Sequence, residues 1–218
     1  MTNRIQSNQT KFANPELATV HVDEDSEDLS RSEVLLKGAL AAGAVYGTLA
    51  VGPFVRKALA MTGSSDVDIL NFALTLEYLE SAFYEEAKSR AKASGELKSL
   101  VNLLAKDEKQ HVEALEGTIK KLGGKPVAKP KFDFPYSGTG GFLKLAQTFE
   151  DTGVSAYNGA APMIKSKEVL TAAGSIVQVE ARHAAAIRLQ NSEEPAPAAF
   201  DTPLDEKQVL KAVEPFIA

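Results

Sequence analysis

Four stretches of the chain repeat apolar residues at intervals of three and four, the spacing of helices with one buried face. They predict helices over about residues 66–91, 96–122, 141–160 and 166–190. Ser64, Ser65 or Asp66 offers a cap for the first, and Gly123-Gly124 stops the second. Residues 123–140 have no helical pattern and contain Pro126, Pro130 and Pro135. A connection of that length suits a crossover along a bundle. Beyond Asn191 a Pro/Ala-rich strap leads to a short amphipathic piece over 205–216. No strand-like alternation of any length occurs, so the expected fold class is all-α, a four-helix bundle with a long crossover between helices 2 and 3.

Upstream of these stretches the pattern changes twice. Residues 1–30 carry six acids against Arg4 and Lys11 and show no periodicity, which predicts a disordered acidic tail. Residues 31–60 hold an uncharged run, 38–55, bracketed by Lys37 and by Arg56-Lys57. Its length predicts an export signal or a membrane anchor, with the protein on the extracytoplasmic side, and Ala58-Leu59-Ala60 offers a small-x-small cleavage pattern. Ser30-Arg31-Ser32-Glu33-Val34-Leu35-Leu36-Lys37 resembles a twin-arginine signal, with Ser32 in place of the second arginine. The alternative is a buried Gly/Ala-rich helix in a cytoplasmic protein. The expected layout is therefore a tail (1–30), a signal or anchor (31–60), a bundle (61–191) and a C-terminal strap with a short helix (192–218).

Composition narrows the chemistry. Cysteine is absent, which excludes disulfides, thiolate zinc sites, iron–sulfur clusters and thiol nucleophiles. A net charge of −5 offers no basic footprint for nucleic acid. There are three histidines, and His21 sits in the acidic tail, where it is expected to be solvated.

The seams of the four predicted helices carry the other two. At three–four spacing the first seam reads Leu70, Ala73, Glu77, Glu80, Tyr84 and Ala87. The second reads Val101, Leu104, Glu108, His111, Leu115, Thr118 and Leu122. The third reads Leu143, Ala146, Glu150, Gly153, Tyr157 and Ala160, and the fourth Val169, Ala173, Ile176, Glu180, His183, Ile187 and Gln190. Each is apolar but for carboxylates, imidazoles and tyrosines near its middle, and polar groups on a core face need a reason.

The polar residues also repeat. Glu77 precedes Tyr84 by seven positions and Glu150 precedes Tyr157 by seven; Glu108-x-x-His111 follows the first pair and Glu180-x-x-His183 the second. Antiparallel helices bring residues level when these are equidistant from the turn, which puts both sets of glutamates at one height. With glutamate at 19 of 218 residues, two of three histidines preceded by Glu at this spacing arise by chance at about 2%. Four carboxylates in a dry core would each cost several kcal/mol unpaired, and no lysine or arginine lies on the seams. Two divalent cations would balance the four charges. One helical turn lets Glu and His reach the same ion, and the oxygen–imidazole set suits iron, manganese or zinc.

The arrangement resembles the ferritin-like di-iron and di-manganese carboxylate bundles, in which two helices give one Glu each and two give Glu-x-x-His. The stretch 66–80, Val179-Glu180-Ala181-Arg182-His183 and the Gly-Gly-Lys-Pro crossover are similar to the bacterial ferritin-like group that includes desiccation-related proteins. The resemblance covers about residues 64–217. It implies that Glu77, Glu108 and His111 serve one metal and Glu150, Glu180 and His183 the other, with two glutamates bridging. Glu80 lies outside the minimal set: a candidate extra ligand or proton relay, or else a side chain swinging to solvent at the bundle edge. Tyr84 and Tyr157 are candidates for hydrogen bonds to ligand carboxylates, or simply for core packing.

By that resemblance the cofactors are two divalent ions, iron first and manganese second, and the partners dioxygen or peroxide. The implied activity is oxidation of Fe(II), or dismutation of peroxide with manganese. Residues 38–55 add the membrane as a partner, and a homo-oligomer is a further candidate. The rival is a non-enzymatic envelope or desiccation-stress protein on the same bundle. A zinc hydrolase fits poorly, because the site lacks an open three-ligand geometry.

Overall fold

The computed structural model describes residues 65–218. The predicted acidic tail (1–30) and the signal or anchor (31–60) lie outside the described residues. Within these, no helix is long and apolar enough to cross a membrane.

Helix α1 (Asp66–Arg90) starts at a reciprocal cap, in which Ser65 accepts from the Asp68 amide and the Asp68 carboxylate accepts from the Ser65 amide. Helix α2 (Gly95–Lys121) returns alongside it. Helices α3 (Gly138–Ala160) and α4 (Lys167–Gln190) form the second hairpin, joined by a 3₁₀ turn at Ala161–Met163. A short helix, α5 (Glu206–Val213), packs on α3 and ends in another 3₁₀ turn, Glu214–Phe216. Among the described residues the architecture is all-helical, with one isolated antiparallel bridge between Phe132 and Ile217.

The start of α3 lies three residues before its expected position. Ser137-Gly138-Thr139-Gly140 contains no apolar residue, so the seam pattern begins only at Leu143. Its anchor is polar: the Thr139 hydroxyl donates to the Ala91 carbonyl just past α1. On α2 the seam drifts. Ile119 is fully buried where Thr118 was expected, and Leu122 is exposed. Gln190 at the end of α4 is exposed too. At 3.6 residues per turn, a seam projected over six turns rotates away from the core.

The long connection is fixed at both ends. Asn71 of α1 donates to the Lys125 carbonyl and accepts from the Val127 amide. Further on, Phe134 and Tyr136 join a ring cluster around Phe83, whose neighbours Tyr84, Phe134, Tyr136, Phe142 and Phe149 have centroids 5.0–5.5 Å away. Asp66 ties the two hairpins, accepting from the amides of Lys165 and Ser166 at the start of α4.

The C-terminal strap returns over α3. The Leu204 amide donates to the Ser155 carbonyl, and the amides of Asp133 and Ala218 close a clasp with the crossover through Phe216 and Lys131. Gly159 makes the strap's approach feasible: a Cβ there would lie 1.9 Å from the Leu204 carbonyl oxygen. Backbone cannot retreat as a flexible side chain can. Gly159→Ala is expected to destabilise the protein by about 1–3 kcal/mol and to speed hydrogen exchange of the Leu204 amide. A urea midpoint equal to that of the parent would contradict this account of the strap.

Candidate metal centre

The middle turns of the four long helices bring Glu77, Glu108, Glu150 and Glu180 together, each with no measurable solvent exposure. His111 and His183 join them, also buried. The ligand atoms fall into two groups, Glu77–Glu108–His111–Glu180 and Glu108–Glu150–Glu180–His183, each with its atoms within 4.8 Å of one another. Glu108 and Glu180 belong to both.

The distances show how these two are shared. The Nδ1 of His111 lies 3.2 Å from Glu108 Oε2, 2.8 Å from Glu180 Oε1 and 3.3 Å from Glu77 Oε2. The Nδ1 of His183 lies 2.9 Å from Glu108 Oε1, 3.8 Å from Glu180 Oε2 and 3.7 Å from Glu150 Oε2. Each shared carboxylate therefore presents one oxygen to either side. The sequence pattern left the bridging pair unspecified, and the geometry singles out the glutamates of the two Glu-x-x-His turns.

Helix register explains the level. The Tyr84 hydroxyl donates to Glu150 Oε1, and the Tyr157 hydroxyl donates to Glu77 Oε1 at 2.5 Å. These crosswise bonds join antiparallel α1 and α3 and tie one oxygen of each outer carboxylate. The second oxygens, Glu77 Oε2 and Glu150 Oε2, have no hydrogen-bond partner. Neither do Glu108 Oε1, both Glu180 oxygens or both His183 nitrogens. His183 Nδ1 is close to Glu108 Oε1, yet the pair is not directed as a hydrogen bond. Orphaned lone pairs converging in a dry core are costly, and divalent ions satisfy them. The donor set fits a pair of such ions.

Glu80 is buried at 3% exposure, so the solvent-facing alternative is overturned. It belongs to neither four-residue group. Asp107 is a residue the seam pattern missed. Its Oδ2 lies 3.5 Å from His183 Nε2, so this imidazole has carboxylates near both nitrogens, though neither contact is directed as a hydrogen bond. The signal was the acid directly before Glu108, and Val179 stands in the equivalent place before Glu180.

Without ions, protons hold the cluster. Burial pushes the carboxyl of Glu77 well up, with Glu180 adding to the rise; burial and Glu180 do the same to Glu80 and Glu150. Burial disfavours the charged form of His183, but Glu108, Glu180 and Glu150 outweigh it and raise the imidazole to about 11. His111 is likewise raised against burial by Glu108, Glu180 and Glu77. Glu108 goes the other way: despite burial, the two imidazoles bring it down to about 2.

The molecule is thus a four-helix carboxylate bundle with a buried, two-sided oxygen–imidazole cluster. The chain matches the ferritin-like domain family over residues 65–193, more than half its length, and belongs to that family. Among solved structures it is similar to a conserved hypothetical protein, rv2844, from Mycobacterium tuberculosis. That similarity has a TM-score of 0.55 and 18% identity, covers 63% of this chain and 98% of the other, and speaks for the fold. No curated protein matches the chain.

A group raised in the folded state contributes stability below its unfolded pKa and loses it as pH rises toward the folded value. Glu77, Glu80, Glu150 and both cluster histidines act in this direction; Glu108 acts oppositely, losing stability only as pH falls from 4.5 toward about 2. In chelator, the melting temperature is therefore expected to fall between about pH 5 and pH 9, while divalent-ion affinity rises because binding expels protons. A metal-free melting temperature that climbs through this window would refute the protonation scheme.

Proposed function

We propose that the protein is a dinuclear metal-binding oxidoreductase that acts on Fe(II), dioxygen or peroxide. The supporting observation is the pair of carboxylate–imidazole groups that share Glu108 and Glu180, one oxygen to each side. On this reading Glu77 and His111 complete one position and Glu150 and His183 the other. Iron is the first candidate and manganese the second, since the donors are oxygen and imidazole. Two such ions at adjacent positions supply two-electron redox chemistry toward a small oxidant.

The protein's part is to prepare the ligands. Tyr84 and Tyr157 hold the outer oxygens of Glu150 and Glu77 and leave the inner ones unpartnered. Asp107 sets a carboxylate near Nε2 of His183, whose Nδ1 faces the cluster. Apolar residues keep water away: Leu70, Leu74, Leu115 and Ile119 on one flank, Phe83, Leu104, Phe142 and Ile187 on the other. A dry surround strengthens every interaction of the bound charge. With no cysteine in the chain, electrons for a peroxidase cycle have to come from an external reductant.

Two divalent ions per chain and Fe(II)-dependent oxygen or peroxide consumption are the expected results. Glu108→Ala and His183→Ala should each lower ion affinity at least tenfold, and with it the turnover. Glu150→Gln separates function from folding. Without ions it should melt no lower than the parent, because an acid held neutral by burial is replaced by a neutral amide; with ions it should lose affinity at least tenfold. Full folding with no bound metal, and melting unchanged by iron or manganese, would instead favour a non-enzymatic module.

A further inference from the structure

The two crosswise tyrosine bonds make α1 and α3 locally symmetric about a point between residues 80 and 81 on one helix and 153 and 154 on the other. The side chains at that point are not alike. Glu80 stands on α1, and Gly153 faces it from α3: a Cβ at 153 would lie 3.0 Å from Glu80 Oε1. The carboxylate thus uses room that the missing side chain leaves. It has no hydrogen-bond partner among the described residues, and its charged neighbours are the acids Glu180, Glu108, Glu150 and Glu77. A leucine would fill the same core position without that cost.

Beside Glu80 lies a narrow crevice with no room for a water molecule, bounded by Leu76, Leu79, Phe149, Thr152, Gly153 and Val213. Apart from Glu80 and the Thr152 hydroxyl, which back-bonds to the Thr148 carbonyl, these walls are apolar. Val213 comes from α5, a helix held through the strap at Leu204 and the clasp at residues 216–218. The opposite flank of the cluster is filled by the two imidazoles, whose ring centroids are 6.0 Å apart. On the α1–α3 side, one unanchored side chain, Glu80, and one glycine, Gly153, line the crevice.

We propose that this crevice is the route by which small uncharged molecules of the size of dioxygen or hydrogen peroxide reach the cluster, with Glu80 as its inner gate and Val213 as its outer cover. The assignment rests on the redox reading of the cluster, but its geometry can be tested separately. The crevice is narrower than a water molecule as it stands, so passage requires Glu80 or α5 to move. Among the described residues Glu80 has no hydrogen bond to fix its rotamer, and Gly153 sets no side chain against it. The apolar walls favour neutral molecules over ions.

The absence of cysteine makes an introduced thiol a unique reporter. Thr152→Cys places one in the crevice wall, and Ala146→Cys places a control two turns away on α3 at a fully buried position. In the full chain, with and without metal, methyl methanethiosulfonate is expected to modify the thiol at 152 at least tenfold faster than that at 146. Adding Val213→Trp should slow modification at 152 at least tenfold, and Val213→Ala should speed it at least threefold. Once modified at 152, the metal-loaded protein should react with hydrogen peroxide at least tenfold more slowly, with its ion content unchanged. Equal modification rates at 152 and 146, indifference to both changes at 213, or full peroxide reactivity after modification would each overturn the route. Because the labelling arm needs no bound metal, loss of the redox reading alone leaves it interpretable.

Discussion

Five buried carboxylates, with no lysine or arginine paired to them among the described residues, set the conditions for the rest of the molecule. Glu77, Glu80, Glu108, Glu150 and Glu180 all lie in the core, and the cationic groups within reach are the imidazoles of His111 and His183. Two imidazolium charges cannot balance five carboxylates. In the absence of ions the imbalance is met by protons, retained on Glu77, Glu80 and Glu150 and on both rings, with Glu108 ionised between them. Protons thus occupy the role that divalent cations would fill. The same groups make ion binding and proton release one linked process.

The fold is organised around these acids. Apolar packing is divided into two clusters, one built around Leu74, Leu115 and Ile119, the other around Phe83, Phe142 and Ile187. The second runs past the polar layer, from Ile69 and Phe72 to Phe83 and Ala87 along α1. Register between the hairpins is set by polar bonds, the two crosswise tyrosines and Asp66 at the head of α4; within the second hairpin the Arg188 guanidinium donates to both Asp151 carboxylate oxygens. Apolar ridges tolerate a shift of one turn better than these bonds do. The acids make the core costly, and the bonds that align them make it unique.

Much of this was legible along the chain because helical spacing carries a residue's facing direction. The six residues of the two Glu-x-x-His turns and their partner glutamates could be placed on seams, and the repeated spacing put them at one height. The pattern did not say which carboxylates are shared, since that depends on side-chain rotamers across four helices. Asp107 was missed because it lies one residue off the seam, on the shoulder of α2, and reaches His183 across a helix interface. Ile119 replaced Thr118 because helical rotation accumulates over many turns. The early start of α3 was hidden for a different reason: its first residues signal through hydroxyl and backbone bonds, which apolar periodicity does not register.

The two halves repeat closely enough that their departures stand out. Glu77 and Tyr84 answer to Glu150 and Tyr157, and Glu108 and His111 to Glu180 and His183. The repeat fails where Glu80 meets Gly153 and where Asp107 meets Val179. Both failures put the extra acid in the first half, and neither extra acid belongs to the shared ligand groups. Asp107 leaves His183 with carboxylates at both nitrogens, while His111 has carboxylates at Nδ1 alone among the described residues. The two sides of the cluster thus differ in the charge beside their histidines despite their equal composition. Glu80, by contrast, stands near the symmetry point and is biased toward neither side by the repeat itself. One departure therefore distinguishes the two positions, and the other bears on what can reach them both.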